Sequence, residues 1–307
     1  MKPLVIYHAN CADGYGAAFA AWLVLGDEAD YMPCQYGKQA EEFMTSLAFD
    51  REVYILDFSF PKNMMDEIFH RAKYVVWLDH HASAFEMWCG SMPDGGQYAQ
   101  QTEDRFIFLD EHRSGAYLTW QWLHLDTEVP LFIKHIDDYD RWQFKLEGTK
   151  EINKALWSYT PWSFEQWDKF MLPFAEVDLR LVGEAILRAH NQNVQAVVKG
   201  AARKCRILKC SPKPNGEHWE AIIDVDATGL AANCPSHLTS DVGHELANQS
   251  GTFGLLWRID KDNTCICSLR SNGDYDVSAI AKAFGGGGHK NAAGFTIDIQ
   301  TLRAWTA

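Results

Sequence analysis

Positive charge is scarce in this sequence: 28 Lys and Arg stand against 41 Asp and Glu, a net charge of −13. A chain this acidic repels a long polyanion unless cations gather locally or a metal supplies them. Stable binding to duplex DNA is therefore not expected, while a short or small phosphorylated substrate held by metal ions is permitted. Paired cysteines are missing as well. The eight cysteines, at 11, 34, 89, 205, 210, 234, 265 and 267, form no CxxC pair. That removes the usual zinc-finger spacings, and the scatter fits reduced thiols in a cytoplasm. No apolar run reaches the roughly 20 residues that cross a bilayer, so no membrane partner is expected. The opening MKPLVIYHAN is too short in its apolar part for a signal segment and is interrupted by His8 and Asn10, so it reads as a strand. There is no internal repeat, and no low-complexity tract beyond the glycines at 285–288.

What is present is alternation, over a length sufficient for two domains. PLVIYHA, VYILDF (53–58), YVVWLDHH (74–81) and RFIFLD (105–110) read as buried strands. AAFAAWLVL and the proline-led PKNMMDEIFHRA read as helices between them. Continuous apolar strands separated by helices predict a parallel α/β sheet, with ligands beyond the carboxyl ends of the strands. Residues 130–202 read as mostly helical, ending in a long connecting helix from 178. CRILKC, EAIIDVDA, TFGLLWRI and TCICSLRS then read as strands, with SDVGHELANQ and DVSAIAKAF as helices. The expected organisation is a first α/β domain over 1–177, a linker helix over 178–203 and a smaller α/β domain over 204–307.

Polar clusters fall where the first set of strands stops. His8 and Asp13 follow the first, Asp57 the second, and Asp79, His80 and His81 the third; Asp137, Asp138 and Asp140 lie in KHIDDYDRW. Taken singly, each has a plain explanation: a strand-end aspartate caps a helix or forms a turn, a lone histidine is hydrogen-bonded in a core, and DRWQF packs. Together, carboxylates and imidazoles at one sheet edge suit divalent ions that take oxygen and nitrogen ligands, manganese among them. Two such ions can bind a phosphate, activate a water and neutralise a leaving oxygen.

LDHHAS and GGGGHKNAAGF, in this order behind an α/β first domain, resemble the DHH–DHHA1 phosphoesterases. That group includes nanoRNase-type oligoribonucleases, single-strand exonucleases and cyclic-dinucleotide phosphodiesterases; the related polyphosphatases carry a different second domain. The resemblance implies a metal-bearing first lobe and a substrate-gripping second lobe. It implies metal ligands at His8, Asp13, Asp57, His80 and Asp138, with Asp140 as the neighbouring choice for the last. Asp57 would bridge two ions, Mn2+ first, with Mg2+ or another divalent ion possible. Asp79 would orient imidazole, and His81 would contact the substrate phosphate, so that Asp57, Asp79, His80 and His81 form the catalytic set. In the second lobe, Arg270, His289 and the backbone of Gly286, Gly287 and Gly288 would hold the far end of the substrate. Ser114 reads as a helix cap.

One position departs from the family pattern. An aspartate is usual two residues before the one matching Asp13, and here that place is Cys11. It is a small turn residue facing away, or a thiolate ligand favouring a softer ion such as zinc, or a lost ligand that leaves one ion weakly held. The activity implied is hydrolysis of phosphodiester bonds in short single-stranded oligonucleotides or dinucleotides by metal-activated water. The alternatives are a phosphatase for polyphosphate or a small phosphorylated metabolite, and a catalytically inactive nucleotide-binding module. Loss of several ligands would mark the last, and only Cys11 departs.

Overall fold

The computed structural model describes residues 1–36, 46–172, 174–212, 221–261 and 264–306. Its contacts divide into two compact units, Met1–Leu187 and Arg188–Ala307. Glu220 of EAIIDVDA and the side chain of Cys210 lie outside the described parts; the other seven cysteines are unpaired.

The first unit is built on six strands: β1 Leu4–His8, β2 Asp30–Cys34, β3 Glu52–Leu56, β4 Tyr74–Asp79, β5 Gln97–Gln101 and β6 Arg105–Asp110. Their order is β2-β1-β3-β4-β6-β5. All neighbours are parallel except β5, which runs antiparallel along the edge beside β6. Val75 to Asp79 are all buried, because β4 is covered on both faces. Trp77 joins a core with Phe58, Met65 and Phe85, which comes partly from helices α2 (Lys62–Arg71) and α3 (Ala82–Cys89). Val76 and Leu78 join the opposite core with Ala17 and Ala21 of α1 (Ala12–Leu25) and Leu118 of α4 (Gly115–Leu123). Strand β3 stops at Leu56 rather than at 58, since Asp57 turns into the left-handed region at φ 55° and breaks the extended run.

Helices α5 Leu131–Asp140, α6 Thr149–Ser158 and α7 Phe164–Phe170 complete the described part of the unit. The helix expected over 178–203 runs from Ala175 to Ala201 (α8), and the two units divide inside it.

The second unit holds β7 Arg203–Pro212, β8 Ala221–Asn233, β9 Phe253–Ile259, β10 Cys265–Ser271, β11 Gly287–His289 and β12 Ala292–Ile297, in the order β11-β12-β10-β9-β8-β7. Among the described residues, only β8 and β9 pair in parallel. One face carries α9 (Thr239–Ser250), with Val242 and Leu246 against Val194 and Val198. The other carries α10 (Val277–Ala283) and α11 (Ile299–Thr306), with Ile280, Phe295 and Trp305 in one core.

Candidate metal centre

The carboxyl ends of β1, β3 and β4 bring their terminal residues together. His8 is the last residue of β1, Asp57 follows β3, and Asp79 ends β4 ahead of His80 and His81. Two glycines permit the close approach. A Cβ on Gly14 would strike the carbonyl oxygen of His8, so α1 can press against the end of β1 only with glycine there. A Cβ on Gly115 would meet Cγ of Asp57 at 2.9 Å, which fixes how near the start of α4 comes to that carboxylate.

Asp13 lies in the first turn of α1 and is buried. Its two oxygens accept from the N–H groups of Gly115 (2.6 Å) and Ala116 (2.9 Å), at the positive end of α4. Nε2 of His80 is the hub. It stands 3.1 Å from Asp57 Oδ1, 3.4 Å from Asp140 Oδ2 and 3.6 Å from Asp13 Oδ2. On the other side of Asp57, His8 Nδ1 is 3.6 Å from Oδ2. Asp79 uses Oδ1 on three donors: the backbone N–H of His80 (2.7 Å) and of His81 (3.1 Å), and His81 Nδ1 (2.7 Å). This fixes the ring of His81 and leaves its Nε2 as the other nitrogen.

Several of these atoms are buried with no hydrogen-bond partner: His8 Nδ1, both oxygens of Asp57, Asp79 Oδ2 and His80 Nε2. Buried polar atoms are almost always satisfied, and leaving one unmet costs about 1–3 kcal/mol. So many in one place, with alignments too poor for hydrogen bonds to one another, is what a ligand shell looks like. The residues fit divalent cations. His8, Cys11 and Asp57 form one group of converging ligand atoms, Asp57, His80 and His81 a second, and Asp13, His80 and Asp140 a third. Asp57 and His80 are each shared between groups.

The electrostatics point the same way. Burial, followed by the charges of Asp57 and Asp140, pushes the Asp13 carboxyl well above its ordinary value. Asp57 is held below the usual carboxylate range: burial works against it, but His8, His80 and His81 outweigh burial. His80 is raised in turn, since Asp57, Asp140 and Asp13 overcome the penalty of its burial. Cys11 is raised by burial and then by Asp57, Asp140 and Asp13. The imidazoles of His80 and His81 thus offset the negative charge of Asp57 and its neighbours, and bound cations would invert that logic.

Residues 238–305 match the family model of the DHHA1 domain, and they follow a first unit whose β4 ends in the Asp79-His80-His81 triplet. Residues 238–305 thus form a DHHA1 domain. The chain is 30% identical to the uncharacterized protein R106 of Acanthamoeba polyphaga mimivirus over 315 aligned positions, covering 95% of this chain and 66% of the viral protein. The fold is similar to that of RecJ from Thermus thermophilus, a structure solved in complex with Mn2+, with a TM-score of 0.50 and 13% identity over 99% of this chain and 50% of RecJ. PggH from Vibrio cholerae, a pGpG-specific phosphodiesterase, aligns at a TM-score of 0.45 and 13% identity, over 99% of this chain and 96% of PggH. The chain thus spans about two thirds of the viral relative's length and half of RecJ's.

In the first unit, His8, Asp13, Asp57, Asp79, His80 and His81 come together at the ends of β1, β3 and β4 and the start of α1. Asp138 does not join them. Its carboxylate accepts from the N–H groups of Lys145 (2.8 Å) and Leu146 (3.1 Å) and from the Thr149 hydroxyl (2.7 Å), so it ties down the loop into α6. Asp140 takes the place beside His80. The helical period explains the choice: Ile133, Ile136 and Asp140 are spaced i, i+3, i+7 and share one face of α5, with Asp140 at its open end toward His80, whereas the buried His135 and Asp138 face Thr149 of α6. Asp137 accepts from the Ser114 N–H at 2.7 Å and lies 3.5 Å from Arg141, so it is no solvated charge. Ser114 caps α4, accepting from Tyr117 N–H.

In the second unit, Arg270 donates to the carbonyl of Leu269 and to Ser240 Oγ and pairs with no carboxylate among the described residues. Gly287, Gly288 and His289 form the edge strand β11. The Gly286 amide, expected to face substrate, instead donates to the carbonyl of Ala281 at 2.9 Å, and a Cβ there would strike Gly294 and Phe295. Gly286 therefore serves packing. Gly288 has φ 140°, backbone that only glycine adopts readily.

One feature was not visible in the sequence. A cavity of about 640 Å³ in the first unit is walled by Tyr7, Tyr15, Trp157 and Trp162, and reaches Ala9 and Asn10, the residues just after His8. Trp157 and Trp162 lie in the mostly helical stretch 130–202, where nothing in the sequence singled them out.

Proposed function

We propose that the chain is a metal-dependent phosphohydrolase acting on phosphodiester bonds of short single-stranded oligonucleotides or dinucleotides. The observation that carries this reading is the convergence of His8, Asp13, Asp57, His80 and Asp140, with Asp57 and His80 shared between groups and their ligand atoms buried without partners. These five residues would hold two divalent ions, and Asp57 would serve both. Bound there, such ions would supply a water of lowered pKa and positive charge beside the phosphate oxygens. The chain's own residues do the rest. Asp13, anchored on two backbone N–H groups, keeps its carboxylate in a fixed orientation. Asp79 holds the His81 ring and, with Asp57, favours its protonated form, in which the outer nitrogen would donate to a phosphate oxygen. Arg270 offers a guanidinium fork that no described carboxylate occupies, and His289 a ring on the same sheet, to a second phosphate or terminal nucleotide.

The aromatic cavity beginning at Asn10 supports a substrate that carries a base over polyphosphate, because its wall offers ring faces rather than cations. The net charge of −13 supports a short substrate.

The test is a hydrolysis screen with added manganese over di- to pentanucleotides, cyclic dinucleotides, polyphosphate and nucleoside bisphosphates, with wild type and Asp57→Asn side by side. Oligonucleotide or dinucleotide hydrolysis should dominate, and the variant should lose both bound metal and turnover while keeping its circular dichroism spectrum. Near-normal turnover by Asp57→Asn removes Asp57 from the centre.

A further inference from the structure

We propose that Cys11 is a metal ligand, its thiolate joining His8 and Asp57 around one ion and making that position selective for a softer cation than its neighbour. The inference rests on the reading of the cluster as a divalent metal centre, and concerns which ion one half of it prefers.

Geometry carries it. The sulfur of Cys11, a ring nitrogen of His8 and a carboxylate oxygen of Asp57 all lie within 4.8 Å of one another. The cysteine is not facing away. The partners it meets are themselves unsatisfied: Asp57 is 1% exposed with neither oxygen hydrogen-bonded, and His8 Nδ1 is likewise without a partner. Asp57 is also held at φ 55°, a conformation that a non-glycine residue adopts at a cost.

The place of Cys11 in the fold points the same way. It is the residue before the first turn of α1, where Ser, Thr, Asp or Asn would accept from the helix's open N–H groups. Cys11 makes no well-formed side-chain cap bond, and its carbonyl accepts from Tyr15 N–H at 3.0 Å. A thiol is a poor cap and a strong ligand. One sulfur with one imidazole and one carboxylate suits Zn2+ or Co2+, whereas the group of Asp13, His80 and Asp140, with no sulfur, suits Mn2+ or Mg2+. On binding, the thiol proton passes to solvent and the sulfur–metal bond takes its place.

The experiment uses the full chain, stripped of metal with a chelator and titrated with Co2+ under nitrogen while the absorbance spectrum is recorded. Wild type should show the visible bands of bound Co2+ together with a near-ultraviolet thiolate-to-cobalt charge-transfer band. Cys11→Ser should lose the charge-transfer band and keep visible bands from the other position. Cys11→Asp, which supplies an oxygen ligand and a helix cap in one residue, should also lack the band, and in competition titrations should shift the preference of this position from Zn2+ toward Mn2+. Visible bands without a charge-transfer band in wild type, or a charge-transfer band that survives in Cys11→Ser, overturns the assignment while leaving the metal centre standing. No Co2+ bound by wild type at all overturns both.

Discussion

Arg270 and His289 stand in one row across the second sheet. Both pair with Ala292, Arg270 from β10 on one side and His289 from β11 on the other, and directly paired residues project to the same face. Two strand spacings separate them, roughly 9–10 Å, about the span of a nucleotide's phosphate and base edge. Gly288, at φ 140°, takes the backbone conformation that lets β11 pair with β12 and sets His289 level with Arg270.

If this row grips the far end of the substrate, Arg270→Ala should raise KM for a trinucleotide and change kcat much less. A hydrogen bond to a charged group is worth about 1.5–3 kcal/mol, so the rise should be roughly 10- to 150-fold. His289→Ala should act in the same direction. Steady-state kinetics on a minimal chromogenic phosphodiester provides the control, since a substrate that ends at the scissile bond should be indifferent to both changes. Equal losses on both substrates would show that the row is not a gripping site.

Asp138 and Asp140 make a paired prediction. Asp140→Asn should weaken metal binding by at least about 10- to 100-fold, the range seen even for groups one step outside a ligand shell, with little change in thermal stability of the metal-free protein. Asp138→Asn should do the reverse. An amide cannot accept from all of Lys145 N–H, Leu146 N–H and Thr149 Oγ1, so unfolding should become easier by about 1–3 kcal/mol while metal affinity holds. Calorimetric metal titration and chemical denaturation of both variants separate the two roles, and an exchange of phenotypes would restore Asp138 as the ligand.

The same pair shows where sequence reading stops. The parallel sheet was legible because VYIL and YVVWL are continuous apolar runs, as strands covered on both faces must be. His8, Asp57 and the 79–81 triplet were legible because each ends such a run. The candidate for the last ligand lies on a helix, where neighbouring aspartates point in different directions, and only the alignment with Ile133 and Ile136 tells which one faces His80. Strand β5, QYAQQ, was missed because an edge strand with polar residues carries little apolar signal. Strand β2, DYMPC, contains a proline, which is tolerated only because β2 is also an edge. The aromatic cavity was hidden for another reason: its wall joins residues of β1 and α1 to residues near 160, and no local pattern records that meeting.

Trp157 gives a test of that cavity. It is 42% exposed, so its removal leaves the core largely intact, and its ring lies 4.8 Å from that of Trp162. Stacking of a base on an aromatic side chain is worth about 1–3 kcal/mol. Trp157→Ala should therefore weaken oligonucleotide binding by roughly 5- to 150-fold, while Trp157→Phe retains most of the affinity. Binding measured with Ca2+ in place of the catalytic ion, on a fluorescent trinucleotide and on an abasic analogue, is the check. Equal weakening of both ligands would show that the cavity does not take a base.

The final prediction concerns stability against pH and lies away from the metal centre. His135 is 3% exposed, with Nδ1 2.8 Å from Thr149 Oγ1 and Nε2 3.7 Å from Glu176. Burial lowers its pKa below the ordinary 6.5, and Glu176 and Asp138 only partly oppose this. The folded protein therefore keeps His135 neutral at pH values where the unfolded chain has already protonated it. Between the folded pKa and 6.5 the unfolded state binds more protons, so stability falls as pH drops through that window and the full penalty is in place below it. His135→Gln keeps a polar group beside Thr149 and removes the titration. Its free energy of unfolding, measured in urea on metal-free protein from neutral pH downward, should fall less steeply than that of wild type once pH passes below 6.5. A constant offset between the two curves at neutral pH would reflect packing alone; only the difference in slope belongs to the buried imidazole. If the curves remain parallel down to the acid limit, His135 does not titrate differently in the folded and unfolded chains.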